Sequence, residues 1–117
     1  MTVRWHSLPK EIAPKLNNLL HDFRQGLTEL YGDRLVRIIL FGSYARQEST
    51  PDSDIDVMVV LKDDISPGDE IFRMSEIKTA VNLQYDELIS VVPISEADYQ
   101  NRHTPLLEAV HKEGIVV

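Results

Sequence analysis

One segment constrains the architecture of this chain more than any other: Gly42-Ser43-Tyr44-Ala45-Arg46-Gln47-Glu48-Ser49-Thr50-Pro51-Asp52-Ser53-Asp54-Ile55-Asp56. It joins two short apolar runs rich in β-branched residues, 35–41 and 55–61, each of which predicts a buried strand. Gly42 ends the first run, where a glycine lets the backbone approach a ligand closely. Asp54 and Asp56 open the second run, and their spacing of two places both side chains on one face of that strand.

The aspartate pair needs a physical explanation. Two like charges at the start of an apolar strand repel each other. Burial adds to the free-energy cost of keeping both ionised unless a cation lies between them. Mg²⁺ is a hard cation that binds one or two carboxylates together with substrate phosphates. The Ser43 hydroxyl and the N–H groups that follow it would form an anion site. If the two strands are neighbours, the segment predicts both halves of a metal–nucleotide site.

The flanking sequence predicts further helices and strands. One helix has its apolar stripe at Ile12, Leu16, Leu19, Leu20, Phe23, Leu27 and Leu30 and ends before Gly32. A short helix is predicted over 43–47, a longer one from Ser66, and a third strand over 88–92, stopped by Pro93. Ser95 and Thr104 start two terminal helices. The order α-β-α-β-α-β-α-α indicates an α/β (α+β) fold, a small mixed sheet with helices packed on it.

Length and composition narrow the class of protein. The 117 residues predict a single domain, 1–117, with too little chain for a second domain over a large substrate. Twelve basic residues against 19 acidic ones give a net charge of −7, so direct nucleic-acid binding is not expected. With no cysteine and no apolar stretch of membrane-spanning length, we expect a cytoplasmic protein with no membrane association.

The segment 42–56 resembles the nucleotidyltransferase fold of the DNA polymerase β superfamily, whose signature is Gly-Ser, about ten residues, then Asp-x-Asp. Ten residues separate Ser43 from Asp54 here. The preceding helix and strand and the sequence Gly-Ser-Tyr-Ala-Arg resemble those of the minimal nucleotidyltransferases (MNT). Members of that family are commonly antitoxins paired with a HEPN-domain RNase toxin. Gln47 departs from the family, which often has glycine there, so the turn after Gly-Ser is expected to differ in shape.

The resemblance assigns roles to individual residues. It implies that Gly42 and Ser43 hold the phosphates of ATP and that Arg46 contacts phosphates or an acidic part of a partner. Asp54 and Asp56 would bind two Mg²⁺ ions. A third carboxylate on the third strand would complete the metal site and act as base; Asp86 is the candidate, with Glu87 as the second choice.

The activity that the resemblance implies is transfer of AMP from ATP to a hydroxyl, a tyrosine in several members, of the HEPN toxin. Two other functions stay open: an antitoxin that acts by binding alone, and a nucleotidyltransferase for a small hydroxylated molecule. Residues 52–56 also match the start of an EF-hand loop, but that loop needs Gly and Glu where this chain has Val57 and Asp63.

Overall fold

The computed structural model describes residues 14–117 as a mixed α/β fold, as the sequence predicts. The helices are α1 (Pro14–Tyr31), α2 (Pro67–Tyr85), α3 (Glu96–Asn101) and α4 (Pro105–Glu113), with a 3-10 turn at Gly32–Arg34. The strands are β1 (Leu35–Phe41), β2 (Ile55–Leu61), β3 (Ile89–Ser95) and β4 (Ile115–Val116). Ile12, placed on the first helix by its apolar spacing, lies outside the described residues. No helix of residues 14–117 is both long and apolar enough to cross a membrane.

The four strands form one sheet in the order β3-β2-β1-β4. β1 pairs antiparallel with β2 and with β4, whereas β2 and β3 run parallel and are connected through α2. β1 and β2 are therefore direct neighbours, joined by residues 42–54. This arrangement brings the end of β1 next to the start of β2, which is where the turn and the aspartate pair lie.

The two faces of the sheet are covered differently. On β2, the side chains of Ile55, Val57, Val59 and Leu61 pack into the larger apolar cluster with α1 and α2. Met58 and Val60 point to the other face, into a smaller cluster that includes Tyr99, Leu107 and Val110. Because side chains alternate along a strand, Asp56 belongs to this second face. The aspartate pair thus lies on the side of the sheet that α1 and α2 leave uncovered.

Three of the predicted helix ends have the expected structure. Gly32 follows α1 with a φ of 55°, the left-handed conformation that favours glycine. The Ser95 hydroxyl accepts a hydrogen bond from the Asp98 N–H at 3.1 Å, and the Thr104 hydroxyl accepts one from the Leu107 N–H at 3.1 Å. Ser66 holds the predicted N-cap position of α2, although its side chain makes no capping hydrogen bond.

Three local predictions were wrong. Residues 43–47 form a turn and not a helix, because Gln47 adopts a φ of 60° and stops helical progression. Pro93 does not end the third strand, because β3 lies at the edge of the sheet, where a residue without an N–H is tolerated. The two-residue strand β4 was not predicted, since so short a run carries no periodic signal.

A buried polar cluster joins the end of α1 to the start of α2. Glu70 is 4% exposed and accepts a hydrogen bond from the Tyr31 hydroxyl at 2.7 Å. Arg34 and Arg73 each place a guanidinium nitrogen 3.9 Å from its carboxylate. The charge of Glu70 is thereby partnered from three sides, as a buried carboxylate requires. This cluster lies at the end of the sheet opposite to Asp56.

Candidate functional site

The turn after β1 is built around two left-handed residues. Gly42 has a φ of 76° and Gln47 a φ of 60°. Between them, the Arg46 N–H donates to the Gly42 carbonyl at 3.2 Å, and the Glu48 N–H donates to the Ser43 carbonyl at 2.8 Å. A turn closed at both ends by backbone hydrogen bonds holds the Ser43 region in a fixed place at the end of β1.

Gly42 packs directly against Asp56. The sheet register pairs Phe41 with Asp56, so the residue after β1 lies beside this carboxylate. A β-carbon built on Gly42 would collide with Oδ2 of Asp56 and would stand 3.2 Å from its Cγ. With the Asp56 side chain in this position only glycine fits, and the turn and the aspartate pair consequently adjoin each other.

The surroundings of Asp56 disfavour its ionised form, and the charge of Asp54 adds to this effect. Its side chain is partly buried. Burial raises the pKa of the Asp56 carboxyl, the negative charge of Asp54 raises it further, and the positive charge of Arg46 acts in the opposite direction. The Ile55 N–H donates to the Leu88 carbonyl at 2.8 Å, which fixes the backbone between the two aspartates. The pair is therefore held rigidly in an arrangement that a cation would relieve.

Arg46 lies on the turn as an exposed side chain with two acidic partners. Its guanidinium donates to Glu48 at 2.8 Å and to Glu113, at the end of α4, at 3.3 Å. Exposed ion pairs of this kind contribute little to stability. The guanidinium is thus held by weak contacts, and its positive charge opposes the rise that burial and Asp54 cause in the pKa of the Asp56 carboxyl.

The structure places Asp86 on a cavity that Asp54 also lines, but the lining does not include Asp56. Asp86 caps the end of α2 in the left-handed conformation, with a φ of 53°, and donates its N–H to the Asn82 carbonyl. The cavity has a volume of about 440 Å³ and is also lined by Asp52 and Glu87. Within residues 14–117, no group of three His, Cys, Asp or Glu side chains is arranged to hold a metal ion.

Glu87, the second choice for a third carboxylate, lines the same cavity as Asp54 and is paired with a lysine of α1. Its carboxylate accepts a hydrogen bond from the Lys15 ammonium group at 3.0 Å. Burial raises the pKa of the Tyr44 hydroxyl, and the neighbouring Glu87 raises it further. Glu87 therefore links α1, the turn after β1 and the loop before β3, which is a positioning contact.

The sequence did not indicate Ser90, which the sheet places next to the site. In the parallel pairing of β2 with β3, Ser90 is the Cα partner of Asp56. It is exposed, and it shares the face of the sheet on which Asp56 lies. The pattern of β3 alone could not have revealed this neighbour, because the register between strands separated by a 19-residue helix is set by tertiary packing.

Comparisons with known proteins agree with this geometry. Residues 20–105 match the model of the nucleotidyltransferase domain. MJ0141 of Methanocaldococcus jannaschii, a candidate protein adenylyltransferase, is 34% identical over 74 residues, which are 63% of this chain and 74% of that protein. A candidate nucleotidyltransferase from Sulfolobus solfataricus has a similar crystal structure, with a TM-score of 0.61, 17% identity and coverage of 85% of this chain and 76% of that one.

A further similar structure is the crystal structure of a toxin–antitoxin pair with AMP-PNP. It aligns with a TM-score of 0.55 and 24% identity over 87% of this chain and 68% of the matched chain. At these identities the two structural matches establish the fold. Each similarity covers more than four fifths of this chain.

Proposed function

Since this chain belongs to the family of nucleotidyltransferase domains, we propose that it transfers the adenylyl group of ATP to a hydroxyl group of a partner protein. The observation that carries this proposal is the packing of the Gly42 turn against Asp56, beside Asp54. It joins an anion-binding turn to a pair of carboxylates on one surface. Similarity to the candidate adenylyltransferase MJ0141 supports ATP as the nucleotide and a protein as the acceptor.

Different residues of the site bind the phosphates and the metal ion. The Ser43 hydroxyl and the backbone of the turn hold the β- and γ-phosphates, and Arg46 exchanges its acidic partners for a phosphate oxygen. Asp54 and Asp56 would hold Mg²⁺, because two mutually repelling carboxylates, of which that of Asp56 is partly buried, fit a hard dication. When bound, Mg²⁺ neutralises charge that develops on the triphosphate.

The reaction is an in-line substitution at the α-phosphorus. The acceptor oxygen forms a bond to the α-phosphorus, and the bond from that phosphorus to the bridging oxygen of the β-phosphate breaks. Pyrophosphate leaves with that electron pair, and the proton of the acceptor hydroxyl passes to a base. The contribution of this chain is to position the triphosphate and to neutralise its charge.

The proposed partner is a HEPN-domain toxin whose acceptor is a tyrosine, which the MNT resemblance implies. The similar toxin–antitoxin structure with AMP-PNP supports a partner of this kind. Two leucines at the rim of the cavity next to Asp54, Leu83 and Leu88, are 80% and 64% exposed. Apolar side chains exposed beside a reaction site are typical of surfaces that a partner covers. A cytoplasmic location belongs to the same proposal, because ATP is abundant there.

The test is intact-mass spectrometry of the partner toxin after incubation with this protein, ATP and Mg²⁺. We expect the toxin to gain the mass of one or more AMP groups. Asp54→Asn should abolish the gain, because it removes a metal ligand without changing the size of the side chain. Asp33→Asn is the matched control, since Asp33 is exposed at the opposite end of β1. A toxin that stays unmodified in a stable complex would contradict the proposed transfer and favour an antitoxin that acts by binding alone.

A further inference from the structure

The parallel pairing of β2 and β3 puts a hydroxyl where a third carboxylate would complete the site. Ser90 is the Cα partner of Asp56. Paired strands lie about 4.8 Å apart, and side chains of paired residues leave the same face of the sheet. A carboxylate at position 90 would therefore reach the same space as the carboxylate of Asp56. The serine found there is neutral and shorter.

Asp54 and Asp56, the two carboxylates that remain as metal ligands, suit one divalent cation. Two ions held about 4 Å apart repel each other strongly, and sites that hold two ions balance that repulsion with several anionic ligands. Asp54 and Asp56 supply two negative charges, which match the charge of one Mg²⁺. A single Mg²⁺ bound by two carboxylates and substrate phosphates is a common arrangement in proteins.

Neighbouring acidic side chains make other contacts. Asp86 ends α2 and lines a cavity with Asp52 and Asp54, but Asp56 is not among the residues of that cavity wall. Glu87 is paired with Lys15, and Glu113 and Glu48 are paired with Arg46. In the described part of the chain, no third acidic side chain joins Asp54 and Asp56.

We propose that Ser90 limits this site to one divalent cation, so that the chain by itself binds a nucleotide with one metal ion where the family resemblance implies two. This inference rests on the proposed function, because the nucleotide supplies the remaining ligands. Ser90 is then the residue that determines how many divalent cations the site binds. Replacing Ser90 with aspartate should create the second metal position.

The experiment counts Mn²⁺ per bound nucleotide. The protein, in excess, is dialysed against Mn²⁺ and α,β-methylene ATP, whose α–β linkage is not cleaved in adenylyl transfer. Free Mn²⁺ is measured by electron paramagnetic resonance and nucleotide by absorbance. We expect one Mn²⁺ per bound nucleotide for the native protein and two for Ser90→Asp. Ser90→Asn, which has the size of aspartate without its charge, should stay at one.

Two further measurements test the role of Ser90. Asp86→Asn should leave the count at one, and a fall in the count would identify Asp86 as a ligand and overturn the inference. Mn²⁺ with the analogue should raise the melting temperature of Ser90→Asp more than that of Ser90→Asn. A count of two for the native protein, or of one for a Ser90→Asp variant that still binds the nucleotide, would also overturn it. Absence of nucleotide binding by the native protein would contradict the proposed function itself.

Discussion

The backbone of Gly42 and the carboxylate of Asp56 are packed so closely that a β-carbon on Gly42 would overlap Oδ2 of Asp56. Gly42 follows β1 and Asp56 is the second residue of β2, so the contact crosses the two central strands at the end that carries the site. The glycine and the aspartate are consequently one structural unit. A substitution of either residue should therefore change the position of the other.

Gly42→Ala should therefore disrupt both stability and binding. A non-glycine residue at its φ of 76° costs about 1–2 kcal/mol, and the new methyl group must displace the Asp56 carboxylate. Gly32→Ala is the matched control, because Gly32 has a φ of 55° but nothing within 4 Å of the added carbon. Urea unfolding should show a loss in both variants, whereas nucleotide binding by calorimetry should fail in Gly42→Ala alone. Normal binding by Gly42→Ala would contradict the role of this contact.

The stability of the metal-free protein should depend on pH through Asp56. Because burial and Asp54 raise the pKa of Asp56, the fold favours its neutral form. The stability that this form contributes is full below the ordinary aspartate value of 3.8 and is lost as the pH rises through the folded pKa. Asp56→Asn should thus be more stable than the native protein at pH 7, and the difference should disappear below about pH 4.

Thermal unfolding across pH 3 to 8 measures this effect. Asp54→Asn should also stabilise the metal-free protein at pH 7, but less, because burial is the larger cause of the shift at Asp56 and Asp54 the smaller one. A native protein that exceeds Asp56→Asn in stability at neutral pH without divalent metal would show that the ionised carboxylate is not under strain.

Gln47→Gly should stabilise the turn. Gln47 adopts a φ of 60°, a conformation that costs an L-residue about 1–2 kcal/mol and costs glycine little. We expect the free energy of unfolding to rise by about 1 kcal/mol. Asp63→Gly is the comparison, since Asp63 has a φ of 66° but aspartate tolerates this region better than glutamine. An equal or larger gain in Asp63→Gly would contradict the argument, and denaturant unfolding distinguishes the outcomes.

Tyr31→Phe should destabilise the fold without affecting the site. The lost hydroxyl is a donor to the buried Glu70, and a hydrogen bond to a charged group contributes about 2 kcal/mol. Tyr85→Phe removes a hydroxyl that donates to Asp22 at a more solvated place, and its effect should be smaller. Because Glu70 lies at the opposite end of the sheet from Asp56, nucleotide affinity of the folded Tyr31→Phe variant should equal that of the native protein.

Leu83→Asp should weaken binding of the partner toxin. Leu83 and Phe72 are both 80% exposed on α2, so a charge at either position leaves the core intact. Leu83 lines the cavity next to Asp54, whereas Phe72 lies 11 residues and about 16 Å away along the helix. We expect Leu83→Asp to lower affinity for the toxin at least about tenfold. Phe72→Asp should change it little, as measured by calorimetry; equal losses would indicate a different interface.

The sequence predicted those parts of the fold that rest on local patterns. The strands over 35–41 and 55–61 have the predicted bounds, and the caps at Ser95 and Thr104 form as their residue types indicate. These features depend on apolar periodicity and on side chains that bond to a nearby backbone N–H. The aspartate pair was predictable for the same reason, since it lies at the start of a strand, whereas the helix predicted over 43–47 is a turn.

The features that the sequence did not predict depend on contacts between distant segments. Ser90 lies next to Asp56 only because the crossover through α2 fixes the parallel register. Asp86, assigned to the site from its position before β3, ends α2 and lines a cavity with Asp54, contacts that only the tertiary structure reveals. That a strand continues through Pro93 depends on the strand being at the edge, which the order of elements along the chain does not reveal.

The two edges of the sheet have a consequence for self-association. Long, flat edges can recruit a strand of another molecule and lead to aggregation. Here one edge strand contains Pro93, which cannot donate a backbone hydrogen bond, and the other is only the two residues of β4. Within residues 14–117, one edge strand is thus interrupted by a proline and the other is only two residues long. At high concentration the described part of this protein should therefore resist filament formation and keep its contacts with other molecules on side-chain surfaces.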